Sequence, residues 1–128
     1  MQVLGIDIGG TGIKAAPVDL TTGTLAGERV KVPTPRPAVP DVIAGVVRDL
    51  AKGFGWTGPA GITFPGVVIN GITMTAHNLD PAWIGLDARA LFAEATGLEV
   101  AVFVAASRAT AVSVCGPLEA AVVFHETE

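Results

Sequence analysis

The stretch Leu4-Gly5-Ile6-Asp7-Ile8-Gly9-Gly10-Thr11-Gly12-Ile13-Lys14 constrains the fold more than any other part of the chain. Val3 to Ile8 reads as a buried strand with a carboxylate near its end, and Gly9-Gly10-Thr11-Gly12 then forms a tight turn into a second strand. Backbone N–H groups in such a turn are not shielded by side chains, so phosphate oxygens can approach them closely. Thr11 adds a hydroxyl and Lys14 a charge, while Asp7 can hold a hydrated magnesium ion through one carboxylate, a usual mode for that metal. These parts suit phosphoryl transfer, and the residues by themselves also leave open a glycine-rich hairpin with no ligand.

Two other phosphate motifs are excluded. The Walker pattern needs Gly-Lys-Ser/Thr after the glycines, and the order here is Gly12-Ile13-Lys14-Ala15. Gly10-x-Gly12-x-x-Ala15 fits the loose dinucleotide fingerprint, but that fingerprint requires a helix directly after the turn. Pro17 disfavours a helix interior and Thr21-Thr22-Gly23-Thr24 follows as a turn, so a second strand is expected.

The chain has 128 residues, half of them apolar and 16% charged, enough for one folded domain with a core. A net charge of -4 and the lack of any Lys/Arg run disfavour nucleic acid as a partner. Cys115 is the single cysteine, so neither an internal disulfide nor a multi-cysteine zinc site is available. Asp7 and the glycines interrupt the apolar N-terminal run, so no signal peptide is evident; a cytoplasmic protein with no membrane partner is the expectation.

Further along, Thr24 to Val32 is expected as a third strand, completing an antiparallel meander. Pro33-Thr34-Pro35-Arg36-Pro37-Ala38-Val39-Pro40 is a stiff connection, too short to separate domains. Val39, Val42, Ile43, Val46, Val47, Leu50 and Phe54 recur at helical spacing, with Pro40 suited to the first turn and Gly53 near the end. Ala60 to Phe64 is a short apolar strand stopping at Pro65-Gly66, and Asn70-Gly71 marks a hairpin between Val67-Val68-Ile69 and Ile72-Thr73-Met74. A second helix starts at Leu86 or Asp87 and is capped by Gly97, with Ala88, Leu91, Phe92 and Ala95 on one face; Val100 to Val104 is the next strand.

Between the hairpin and that helix, residues 75–85 form a polar and aromatic loop, and Asn78, Asp80 and Trp83 supply types that a sugar requires. Asp80 before Pro81 equally starts a turn, Trp83 equally belongs to a core, and His77 reads as solvated. Of this set only Asn78 is assigned to a site.

Asp7-Ile8-Gly9-Gly10-Thr11-Gly12-Ile13-Lys14 resembles the first phosphate motif of the ROK family of sugar kinases, in the actin/hexokinase superfamily. Ile62-Thr63-Phe64-Pro65-Gly66-Val67-Val68, Asn78-Leu79-Asp80 and Trp83-Ile84-Gly85 resemble one branch of that family, the bacterial polyphosphate glucokinases. The similarity runs from about residue 3 to residue 103. It implies an α/β, ribonuclease-H-like N-terminal kinase domain, a mixed sheet with three antiparallel strands at its start. It also implies phosphoryl transfer to the 6-hydroxyl of glucose from polyphosphate or ATP, with Mg2+, and a homodimer for the intact family member. On this resemblance Gly9, Gly10, Thr11, Gly12 and Lys14 bind phosphate, Asp7 serves the metal, and Gly66 and Asn78 face the sugar.

The pattern then breaks. The family places Asn-Asp after the strand that ends here at Phe103, the Asp being the general base, but Val104-Ala105-Ala106-Ser107-Arg108 follows and no Asp or Glu occurs between Glu99 and Glu119. No catalytic residue is therefore assigned. Residues 104–128 read as a divergent tail, without the family's second domain, and a change of reading frame near codon 104 accounts for a matching start and an unrelated finish. The expected chain is an inactive part of a glucokinase, with a non-catalytic sugar- or phosphate-binding module as the alternative. A ROK transcriptional regulator is disfavoured because its helix-turn-helix precedes the kinase-like domain, whereas the phosphate motif here begins almost at Met1.

Overall fold

The computed structural model describes residues 1–76 and 79–105. Strand β1 (Gln2–Ile8) runs into β2 (Gly12–Asp19) as an antiparallel hairpin, with Ile8 opposite Ile13 beside the glycine turn. Two short strands, β3 (Thr24–Leu25) and β4 (Val30–Pro33), both pair with β2. Helix α1 (Pro40–Gly53) leads to β5 (Ala60–Phe64), parallel to β1. Strands β6 (Val68–Ile69), β7 (Ile72–Thr73) and β8 (Leu86–Asp87) form a separate small antiparallel sheet. Helix α2 (Ala88–Thr96) then returns the chain to β9 (Val100–Val104), parallel to β5. The main sheet has the order β3-β2-β1-β5-β9, with β4 also on β2. An antiparallel start followed by parallel strands separated by helices is the mixed α/β architecture expected from the sequence.

Strand alternation divides the sheet into two faces. Leu4, Ile6 and Ile8 join Ile13, Ala15, Ile62 and Phe64 in one core with Ile43, Val47 and Leu50 of α1 and Phe92 of α2. Val3, Ala16 and Val18 form a second, smaller cluster. Asp7 and Lys14, odd and even in number but opposite each other in the β1–β2 register, share the face of Val3 and Val18, away from the helices.

The expected single third strand is broken. Leu25 pairs with Val18 while Val30 pairs with Ala15, so residues 26–29 contain two more residues than the facing segment of β2. The break lies across from Pro17, which has no N–H to give a ladder, although its carbonyl still accepts from the Ala26 N–H at 2.8 Å. Because the insertion is of two residues, the alternation of faces survives it.

Helix α1 keeps its expected bounds but buries a narrower stripe: Ile43, Ala44, Val47, Leu50 and Ala51 are inside, while Val42 is 39% exposed. Asn70 (φ 52°) and Gly71 (φ 82°) turn the β6–β7 hairpin in the left-handed region that Asn-Gly favours. Helix α2 is capped at its start by Asp87, whose carboxylate accepts from the Ala90 N–H at 3.0 Å, and at its end by Gly97 with φ 72°.

Candidate phosphate site at the first hairpin

The turn between β1 and β2 is held from one side. The Gly9 carbonyl accepts from the Thr34 hydroxyl at 2.7 Å, the Gly10 carbonyl accepts from the Arg36 guanidinium, and the Thr11 carbonyl accepts from the Thr34 N–H at 3.1 Å. Trans peptide units are planar, with the N–H opposed to the C=O. Tying down those three oxygens therefore aims the N–H groups of Gly10, Thr11 and Gly12 away from the segment that carries Thr34 and Arg36. Among the described residues the Gly10 and Thr11 N–H groups have no hydrogen-bond partner. Outward N–H dipoles of this kind make an anion-binding concavity.

Gly9 also has a part in the turn itself. Its N–H donates to the Gly12 carbonyl at 2.9 Å and closes the turn. What its glycine character provides is space, because a Cβ there would come 2.8 Å from the Gly12 carbonyl oxygen.

Asp7 lies at the end of β1, 9% exposed, and one of its oxygens accepts from the Thr63 hydroxyl at 2.7 Å. Thr63 is its register partner on β5, and Lys14 its register partner on β2. A row of Thr63, Asp7 and Lys14 thus crosses three strands beside the turn. Among the described residues no group of three or more Asp, Glu, His or Cys side chains is placed to hold a metal. A carboxylate oriented in this way fits Mg2+, which binds through one or two carboxylates and completes its shell with waters and substrate phosphates.

The sugar-side residues fare differently. Asn78 and His77 lie outside the described residues. Gly66 is described, and its lack of a side chain has an internal cause: a Cβ there would fall on the Thr75 carbonyl oxygen. That segment is closed by the Val67 N–H on the Thr75 hydroxyl at 2.8 Å and the Met74 N–H on the Val67 carbonyl at 2.7 Å. Asp80 is a turn starter, accepting from the Ala82 N–H at 2.8 Å at the head of the 3-10 turn Pro81–Trp83. Trp83 is core: fully buried, it packs on Phe64 and Phe92 with ring centroids 4.8 and 5.9 Å away, and its indole N–H donates to the Ala38 carbonyl at 2.9 Å.

The sequence motifs assign no site role to Thr34, Arg36 or Thr63. Polar residues set inside otherwise proline-rich or apolar runs, Pro33-Thr34-Pro35-Arg36-Pro37 and Gly61-Ile62-Thr63-Phe64, were the available signal. At the end of β9, where the family resemblance places a general base, Phe103 is level with Thr63, Val104 with Phe64, and the Ala105 N–H donates to the Phe64 carbonyl at 2.8 Å.

The sequence pattern of the ROK family matches residues 3–115. A polyphosphate glucokinase of Mycobacterium tuberculosis is 50% identical over 99 residues, covering 77% of this chain and 37% of that protein. The crystal structure of an inorganic polyphosphate/ATP-glucomannokinase from an Arthrobacter strain superposes with a TM-score of 0.81 at 39% identity, over 86% of this chain and 46% of that one. A ROK family glucokinase from Streptomyces griseus, solved with glucose and AMPPNP, superposes with a TM-score of 0.73 at 28% identity, over 86% of this chain and 35% of that one. The chain thus spans little more than a third of the length of the Mycobacterium tuberculosis relative.

Proposed function

The chain belongs to the ROK family, and from that premise we propose that it is the donor-phosphate half of a sugar kinase that transfers a phosphoryl group from polyphosphate or ATP to the 6-hydroxyl of glucose. The observation that carries this reading is the braced turn. Its carbonyls are taken up by Thr34 and Arg36, and its remaining N–H groups point outward beside Lys14 and Asp7. Phosphoryl transfer asks a protein for positioning and charge stabilisation more than for covalent chemistry, and oriented N–H dipoles with an ammonium supply both.

In this reading the N–H groups of Gly10, Thr11 and Gly12, the Thr11 hydroxyl and Lys14 bind donor phosphate, and Gly9 shapes the turn. Asp7, oriented by Thr63, would hold Mg2+ through its carboxylate; the metal, when bound, neutralises charge on the phosphates. Gly66 and Asn78 are assigned to the sugar side, where Gly66 keeps the chain next to Thr75 compact. The cytoplasm, where sugar and donor are both present, is the assigned location.

A second reading rests on a specific feature, the lack of any Asp or Glu between Glu99 and Glu119, where the family's general base belongs. This chain by itself then acts as a phosphate- or sugar-binding module without turnover. Residues 1–103 are assigned to the kinase-like domain and residues 104–128 to a tail that departs from it, with a frame change near codon 104 as the proposed origin. Translating the other frames of the gene beyond codon 103 tests that origin: recovery of Asn-Asp supports it, and its absence from every frame rejects it.

Calorimetric titration of the 128-residue chain with linear polyphosphate tests the phosphate assignment. Weak binding that falls with added salt and with Lys14→Ala is expected, because Thr11 is exposed and Lys14 half-buried, so the ligand stays partly solvated and the charges are screened. Equal binding by the Lys14→Ala variant removes the turn from the donor site.

A further inference from the structure

The β2–β4 register places Lys31 directly opposite Lys14. Directly opposite residues of an antiparallel pair project from the same face, so a second ammonium joins the face that presents Lys14 and Asp7. The Lys31 side chain leans toward the turn: a Cβ on Gly12 would come within 2.9 Å of its Cε, which sets its ammonium beside the turn backbone. Gly12 is thus the residue that gives the Lys31 stem its place.

Like charges facing each other across a strand pair repel. Among the described residues neither the Lys14 nor the Lys31 ammonium makes a side-chain hydrogen bond or a salt bridge. The Arg36 guanidinium, on the Gly10 carbonyl, adds a third cation at the same turn. With Asp7 opposite Lys14 on β1, the cations Lys14, Lys31 and Arg36 at this turn still outnumber that carboxylate, and an anion would be attracted to them.

We propose that Lys31 is a donor-binding residue, contacting a phosphate beyond the one held by the turn and Lys14, and that it adapts the site to a linear chain of phosphates. The inference rests on the reading of the turn as a donor-phosphate site. One phosphate on the turn N–H groups is served by Lys14. A second ammonium one strand further out, at a strand spacing of about 5 Å, meets an anion that extends over more than one phosphate.

The test is calorimetric titration of the wild-type 128-residue chain and its Lys31→Gln, Lys31→Arg and Lys14→Gln variants with short linear polyphosphate and with orthophosphate. For Lys31→Gln, polyphosphate affinity should fall about five- to tenfold, and the log–log salt slope should drop by about one, as for the loss of one phosphate contact. Its orthophosphate affinity should stay within about twofold and its unliganded melting temperature should not fall, since a repulsive pair has been removed. Lys31→Arg should bind as the wild type. If Lys14→Gln weakens polyphosphate and Lys31→Gln does not, the proposal is overturned and the donor-site reading stands. If the wild type fails to bind polyphosphate, or Lys14→Gln binds it unchanged, the donor-site reading fails and takes the proposal with it.

Discussion

Thr63 and Asp7 are joined by a hydroxyl-to-carboxylate hydrogen bond of 2.7 Å across β5 and β1, at the point where the strand register sets them side by side. Thr63 is 2% exposed and Asp7 9%, so the fold itself fixes the orientation of the carboxylate beside the glycine turn. The pair also ties together the carboxyl ends of two parallel strands, the edge at which ligands bind in α/β sheets.

Thr63→Val keeps the shape of the side chain and removes the donor. Hydrogen bonds to charged groups are worth about 1.5 to 3 kcal/mol net, so the unfolding free energy should fall by about 1 to 2 kcal/mol once the carboxylate has relaxed. Urea denaturation measures this, and Thr63→Ser should restore most of the loss. A Val variant with the wild-type midpoint would show that the Asp7 orientation is fixed by other contacts.

Gly66→Ala separates two reasons for a glycine. If Gly66 served only to admit a ligand, the alanine variant would keep its stability. The Thr75 carbonyl stands where the new methyl would go, so the backbone around residues 66 and 75 must shift instead. Overpacking of this kind costs about 1 to 3 kcal/mol, and the melting temperature of Gly66→Ala should drop by several degrees even without any sugar present.

Thr34→Val tests the brace behind the turn. The variant leaves the Gly9 carbonyl without its 2.7 Å donor at a position where Thr34 is 8% exposed. The Gly9 carbonyl is part-buried, so its loss of a partner should cost about 1 kcal/mol, the low end of the range for an unsatisfied acceptor. The peptide between Gly9 and Gly10 is then freer to rotate, and polyphosphate affinity should fall several-fold in titration, with Thr34→Ser close to wild type. Lower stability with unchanged polyphosphate affinity would detach the brace from the ligand site.

Local chemistry was legible in the sequence where one residue decides the backbone. Asn70-Gly71 gave the hairpin, Pro40 and Gly53 bracketed α1, and Pro17 after the glycines excluded a dinucleotide helix in favour of β2. What was not legible depends on partners far along the chain. The break between β3 and β4 needs the β2 register, the Thr63 hydrogen bond spans 56 positions, and the indole of Trp83 finds its acceptor at Ala38, 45 positions away. Helical spacing placed Val42 with the buried set, but periodicity cannot tell how wide a stripe the sheet covers, and Val42 lies outside it. The roles of Gly9 and Gly66 illustrate the same limit: both positions require glycine, and only the fold shows that the neighbour is the chain's own backbone.

The last prediction is that the 128-residue chain gives no enzymatic turnover of glucose to glucose 6-phosphate with polyphosphate and Mg2+. A positioned general base contributes roughly 100- to 10,000-fold, and the sequence after Phe103 offers only Val104, Ala105 and Ala106 where a base belongs. Asp7 is no substitute, because one of its oxygens is engaged by Thr63 and it stands beside the turn assigned to phosphate. Installing the pair by Val104→Asn and Ala105→Asp should not restore turnover in this chain. The polyphosphate glucokinase it resembles is matched over only 37% of its length, and positioning of donor and sugar together draws on the remainder. Turnover should require both the Asn-Asp pair and a C-terminal half taken from such a relative, followed by a coupled assay for glucose 6-phosphate. Turnover by the unaltered chain, lost in Asp7→Asn, would refute this prediction and place the proton acceptor on a residue other than those named here.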